Sequence, residues 1–460
     1  MSLDSTSAGW RVHELTKHSL QSVRSNAHRL DFENQPRPYK RYVRAPQITL
    51  PDEVLPSDQP ALRAIAGACS VMDGLVPDAA LISTVLQLSN GITKWLTFPG
   101  RRMPFRAAAC TGALYHIDLY LVCQDLAGIP AGVYHFDVES GNLTVLRSGD
   151  YRGALAEAAA CEAAPAFLVL ASTYWRNAWK YQSRAWRHCF WDSGTILANL
   201  LAVANAHHLP AQALSAFVDA RVNRLLALDT DREAALAVVP LGSGGAPPPA
   251  APPIMPLGLK TEPYSAFEVD YPLIREAQRA SSLASSNEVR TFREQARRPS
   301  LSAAGYLPTG EGTIEAAILR RGSARRFVPA PIRLEELEAI LAVAEAPIQA
   351  DFDALTEPYL IVSGVDGLEP GAYRGLRDVI RLGGLRLMAS HLALDQRLAA
   401  DAAVNVYFLA ETNGGERGYR AAQLDGSIRG GRVYLAAYAL GLAATGLTFY
   451  DDEVSELFES

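Results

Sequence analysis

Cysteine is scarce in this 460-residue chain: there are five, at positions 69, 110, 123, 161 and 189, and none forms a C-x-x-C pair. An odd, unpatterned set confined to the first half excludes a disulfide framework and offers no metal-ligand spacing. Reduced thiols of a cytoplasmic protein, with no metal, are the simplest expectation. No apolar run reaches the roughly 18 residues that a membrane-spanning helix needs. Dense Lys/Arg blocks are missing and the net charge is −6, so neither a nucleic-acid nor a membrane partner is expected. The opening stretch, Met1 to Lys17, is polar and charged, unlike a signal or transit peptide. Against these absences stand 49% hydrophobic and 20% charged residues, the balance of a folded core rather than of disorder.

The length allows two or three domains. The stretch from Gly242 to Pro253, GSGGAPPPAAPP, holds neither helix nor central strand, and a mixed charged segment follows from Ser282 to Ser302. We therefore expect domain one over 1–245, a linker and connecting segment over 246–305, and domain two over 306–460.

The two halves are related. Arg184-Ala-Trp-Arg187 aligns with Arg417-Gly-Tyr-Arg420 at an offset of 233 residues, which places Asp192 on Asp425, Phe217 on Tyr450 and Asp219 on Asp452. GIPAGVYHF (128–136) likewise resembles GLEPGAYRG (367–375). Strands are predicted at 119–123 and 166–171 in one half, and at 359–363 and 405–410 in the other. Helices are predicted at 192–208, capped by Asp192-Ser193, and at 425–442, opened by Asp425. Apolar faces on equivalent helices predict that the halves pack helix to helix, as a two-fold dimer would after fusion.

Two segments can carry chemistry. In ILRRGSARRF (318–327), the alternation in an extended segment would point Arg321, Ser323 and Arg325 one way, with Arg320 beside them. A hydroxyl with forked guanidiniums suits a phosphate monoester, although a solvated basic turn has the same composition. In RAAACTGALYHIDLYLV (106–122), the small residues before a strand let backbone amides approach a planar ligand, or simply make a tight joint. Lys180-Tyr181 can do acid–base work if burial shifts either group, and is otherwise an ordinary helix turn. His135 reads as an exposed strand residue, and His207-His208 as a helix end.

Together these segments resemble the nitroreductase superfamily, and in particular its SagB-type (streptolysin-type) dehydrogenases. Residues 318–327 are similar to the R-x-S-x-[RK] that binds flavin phosphate there, and 106–116 to R-x-x-P-S-x-G-A-L-Y-P, with Ala109, Cys110 and His116 as departures. GYRAAQLDGSIRGGRVYLAAYALGLAATGLTFYDDEVSELF resembles the family's long helix and flavin-edge loop. The resemblance implies an α+β fold of two fused nitroreductase-like domains, each a mainly antiparallel sheet packed by helices, forming an intrachain pseudo-dimer that can associate further. Domain two would lack its closing C-terminal strand.

It also implies FMN as cofactor. Arg320, Arg321, Ser323 and Arg325 would hold the phosphate, while Arg106, Ala109, Cys110, Thr111, Gly112, Gly446, Leu447 and Thr448 would line the ring. Lys180 and Tyr181 would act on a small-molecule or modified-peptide substrate such as an azoline. Domain one lacks the R-x-S-x-R and domain two lacks the small-residue loop, so one flavin site per chain is expected. The alternative is a flavin-free binding scaffold.

Overall fold

Two Val/Leu-rich runs, Ile117–Cys123 and Ala166–Thr173, are buried along their whole length and pair antiparallel at the centre of a six-stranded sheet. Successive side chains point to opposite faces, so Leu119, Leu121 and Cys123 join one core, and Tyr120 and Val122 another. In the computed structural model, which describes residues 7–98, 101–296, 312–411 and 414–459, the strand order is 47–48, 142–148, 132–137, 117–123, 166–173, 233–241. All its pairings are antiparallel. A second, four-stranded antiparallel sheet has the order 378–382, 371–374, 357–362, 404–409. Strand by strand, this repeats the run 142–148, 132–137, 117–123, 166–173 of the first sheet. The fold is α+β, with each sheet packed by helices.

Between the sheets lie two long helices, Ala185–Ala206 and Gly415–Ala439, in one continuous core. They run side by side in the same direction, and residues 233 apart in sequence face each other. Trp186 stacks on Tyr419 with ring centroids 5.4 Å apart. A Cβ added to Gly194 would stand 2.4 Å from Ser427 Cβ, and one added to Gly431 would stand 2.5 Å from Ala198 Cβ. Small residues at these crossings let the backbones meet.

Several expectations need correction. Asp192 and Asp425 do not open their helices. Each lies inside one, buried, because its carboxylate is used by a neighbouring loop. The offset of 233 also slips by one residue near the end, since Asp451, not Asp452, opens the last helix, as Asp219 opens Asp219–Leu226. His135 is buried between Tyr42 and Tyr120 rather than exposed. The linker carries no helix or strand from 242 to 259, but the charged segment contains the helix Ser286–Ala296, which buries Val289 and Phe292. The expected start of domain two, at residue 306, lies outside the described residues. Among the described residues, no helix is long and apolar enough to cross a membrane.

Candidate active site

The segment after the helix Ile314–Arg320 is pinned across the boundary between halves. Arg321 Nε donates to the carbonyl of Ala107 at 2.8 Å, and its Nη2 to that of Arg106 at 2.7 Å. The Arg/Ser segment of one half thereby lies against the small-residue loop of the other. Arg321 spends its fork on these carbonyls, half-buried, instead of presenting it to solvent. Arg320 donates to the carbonyl of Tyr438. Ser323, Arg325 and Arg326 are exposed, and neither arginine has a carboxylate partner among the described residues. Ser323 Oγ is 3.3 Å from the Tyr434 hydroxyl, which also accepts the Gly446 N–H. The sequence reading missed Tyr434, whose place on the second long helix looks like ordinary helix surface. The Ala324 N–H donates to the Ala444 carbonyl at 3.0 Å and completes the brace.

The small-residue loop is built from below. Asp192, on the first long helix, accepts the Thr111 N–H at 2.9 Å and the Thr111 hydroxyl at 2.8 Å. Thr195 Oγ1 donates to the Ala109 carbonyl at 2.7 Å. The N–H groups of Ala108, Ala109 and Cys110 have no acceptor among the described residues. Gly112 takes φ +61°, a left-handed conformation that glycine adopts without strain. Thr356 and Asp425 repeat the Thr111–Asp192 contacts in the other half, with N–H and hydroxyl at 2.9 and 2.6 Å. Arg106 does not reach the loop's outer face: its guanidinium is wholly buried against Asn90 and the Ile117 carbonyl, at 3.0 and 3.2 Å.

Lys180 and Tyr181 end the helix Tyr174–Tyr181 beside this loop. A Cβ on Gly112 would come within 2.8 Å of the Tyr181 hydroxyl. Burial, then the nearby Arg325 charge, pushes the Lys180 ammonium below its ordinary range. Burial, then Asp192 and Cys110, raises the Tyr181 phenol, which stays protonated at neutral pH. The 233-residue offset places Asn413-Gly414 opposite this pair, and Asn413 lies outside the described residues. Leu447 packs partly buried against the core of the second half, and Thr448 Oγ1 is buried without a hydrogen-bond partner among the described residues.

No hydrogen bond joins residues 107–113 to 444–448 among the described residues. The corresponding place in the other half is closed. There the Ala213 N–H donates to the Gln349 carbonyl at 2.8 Å, and the Asp351 N–H to the Ala213 carbonyl at 3.1 Å. The Asp351 carboxylate accepts the N–H groups of Ser215 and Ala216 at 2.7 and 2.9 Å. Arg293 of the connecting helix caps it at 3.0 Å and also bonds the carbonyls of Ala159, Ala160 and Ala216.

Comparison with known proteins fits this geometry. Residues 117–243 match the nitroreductase family. That span holds the central strands, Lys180-Tyr181 and Asp192. A crystal structure of a nitroreductase-like protein from Anabaena variabilis superposes on 99% of this chain and 96% of its own, with a TM-score of 0.77 and 25% identity. A nitroreductase-like protein of Methanocaldococcus jannaschii is 25% identical over 142 residues, 30% of this chain and 70% of that protein. The E. coli microcin synthetase complex with a truncated pro-MccB17 aligns over 53% of the chain at 20% identity, but its TM-score of 0.33 is too low to bear on substrate. Residues 117–243 thus resemble a nitroreductase-family domain, within a nitroreductase-like fold that the Anabaena protein shares along nearly its whole length.

Proposed function

We propose that this protein is an FMN-dependent oxidoreductase of the nitroreductase class, a tandem duplication with one flavin site per chain. The observation that carries the reading is the Arg321 clasp on the Arg106 and Ala107 carbonyls, which brings the two surviving half-sites together. The donor set suits the group. Ser323, Arg325 and Arg326 offer a hydroxyl and unpaired guanidiniums to a phosphate, and the Ala108–Cys110 amides can meet a polar ring edge. When bound, the flavin supplies hydride transfer, and the protein holds, shapes and tunes it.

The chain's own residues then divide the work. Arg321 and Tyr434 position the phosphate segment. Asp192 and Thr195 hold the ring-facing loop. Tyr181 keeps a proton at its hydroxyl beside Gly112, with Lys180 as its cationic neighbour. The substrate is a small acceptor or a modified peptide of the azoline type. The counterpart site, bridged by Asp351 and capped by Arg293, is the one that duplication left unused. Titration of the full-length protein with FMN tests this reading, and saturation at one FMN per chain is expected. Saturation at two, or a colourless protein that takes up none, overturns it and favours the scaffold.

A further inference from the structure

Cys110 and His116 are two of the positions at which residues 106–116 depart from the motif they resemble, and both converge on one carboxylate. Asp192 Oδ2 lies 3.0 Å from Cys110 Sγ and 2.9 Å from His116 Nε2. The three ligand-type atoms are all within 4.8 Å of one another. Nothing in their spacing along the chain announces this, since Asp192 comes from a helix that begins sixty-odd residues after the loop and its strand.

Each group is also held from behind. His116 Nδ1 is 2.8 Å from Ser172 Oγ, the Thr111 N–H donates to Asp192 Oδ1 at 2.9 Å, and the Tyr115 N–H donates to Cys110 Sγ at 3.1 Å. Such outer partners orient the carboxylate and the sulfur, and Ser172 Oγ can accept Nδ1–H in the tautomer whose Nε2 lone pair faces a cation; without one, Nε2–H donates to Asp192. A cavity of about 10 Å³, lined by Asn90, Ala109, Cys110, Tyr115 and Asp192 among others, adjoins the cluster and has room for one water.

We propose that Cys110, His116 and Asp192 form a binding site for one zinc-type divalent cation, with a water in the adjoining cavity as fourth ligand. Thiolate, imidazole and carboxylate in a compact set, with His116 and Asp192 buried and Cys110 partly so, suit Zn²⁺ rather than the oxygen-seeking Ca²⁺ or Mg²⁺. The charges close: a +2 cation meets the Asp192 carboxylate and the Cys110 thiolate, and the thiol proton leaves to solvent. Tetrahedral zinc places its ligand atoms roughly 3.3–3.5 Å apart. The hydrogen-bonded contacts therefore widen by a few tenths of an ångström as the cation replaces the Cys110–Asp192 bond. The site stands on its own residues and does not require the flavin.

The test uses the full-length protein, stripped with chelator and then titrated with Zn²⁺ against a chromogenic competitor, with Co²⁺ as an optical probe of thiolate ligation. One equivalent per chain and a cobalt–thiolate charge-transfer band are expected. Cys110→Ser, which leaves the Thr111 bonds to Asp192 in place, should lose the band and weaken binding on the order of 100-fold or more. Ser172→Ala, which frees the imidazole, should weaken it roughly 10-fold. Cys161→Ser should bind as the wild type does. Absence of stoichiometric zinc and of the cobalt band in the wild type, or a Cys110→Ser variant that binds as tightly, overturns the proposal.

Discussion

Arg417 Nη1 donates to both carboxylate oxygens of Asp219, at 3.0 and 2.8 Å, with both side chains buried and each drawn from a different half of the chain. Arg420 joins the same carboxylate at 3.0 Å. The arrangement is reciprocal: Asp451 receives Arg184 at 3.1 Å and Arg187 at 2.6 Å. Each half therefore places a helix-opening aspartate on the arginine pair of the other.

Asp219→Asn would leave two buried guanidiniums without their counter-charge. Breaking a buried pair from one side costs about 3–5 kcal/mol. Chemical denaturation should show a loss of that order. A loss below about 1 kcal/mol would mean that the clasp contributes little to joining the halves.

Acid should weaken the reciprocal clasp in a defined window. Burial pushes the Asp451 carboxyl up, but Arg187 and Arg184 outweigh it and bring it from 3.8 down to about 2. A carboxyl depressed on folding stabilises the protein above its unfolded value and loses that contribution as pH falls through its folded value. The stability gap between wild type and Asp451→Asn should narrow by about 2 kcal/mol as pH drops from above 4 to near 2. A gap that stays constant across that range would contradict the assignment.

The crossing of the long helices has no room for side chains at two points. Gly194→Ala would drive a methyl to 2.9 Å from Ile428 N as well as into Ser427, and Gly431→Ala would drive one into Ala198. Overpacking of this kind costs roughly 1–3 kcal/mol. A lowered melting temperature is expected for each variant, and the double variant should depart from additivity, because the two positions share one contact surface.

Flavin retention should separate holding from positioning. Ser323→Ala with Arg325→Ala removes a neutral and a charge-assisted contact, about 2–4 kcal/mol, and should weaken FMN binding roughly 30- to 1000-fold with little change in melting temperature. Arg321→Ala should release FMN and also lower the melting temperature, because its guanidinium ties the two halves together. FMN content after ultrafiltration, measured beside thermal denaturation, distinguishes the two patterns.

Tyr181→Phe keeps the ring against Gly112 and removes only the hydroxyl. FMN content should be unchanged, while turnover with a nitroaromatic or quinone acceptor should fall by about 10²–10⁴ if the phenol is the proton donor. Equal turnover in both proteins would return Tyr181 to a packing role.

What the sequence determined by itself was whatever depends on local pattern and on order. Apolar runs marked the central strands to within about two residues, and the Gly/Pro stretch marked a segment without helix or strand. The pairing of 184–187 with 417–420 foretold which helices would meet, because equivalent helices lying along a two-fold axis face each other. Arg321 and the 106–112 loop were expected to lie together, and the Arg321 guanidinium bonds the Arg106 and Ala107 carbonyls at the start of that loop.

Only the tertiary structure decided what each polar side chain does. Asp192 and Asp425 look like helix caps, yet they sit mid-helix, because a loop from a distant part of the chain supplies the donors they accept. His135 alternates like an exposed strand residue, but aromatic rings from other segments cover it. Arg321 gives its fork to carbonyls, and Asp351 closes the counterpart site, through contacts between residues more than a hundred positions apart. Periodicity reports which face of an element is apolar. It carries no record of which distant carboxylate, carbonyl or thiol will be folded against that face.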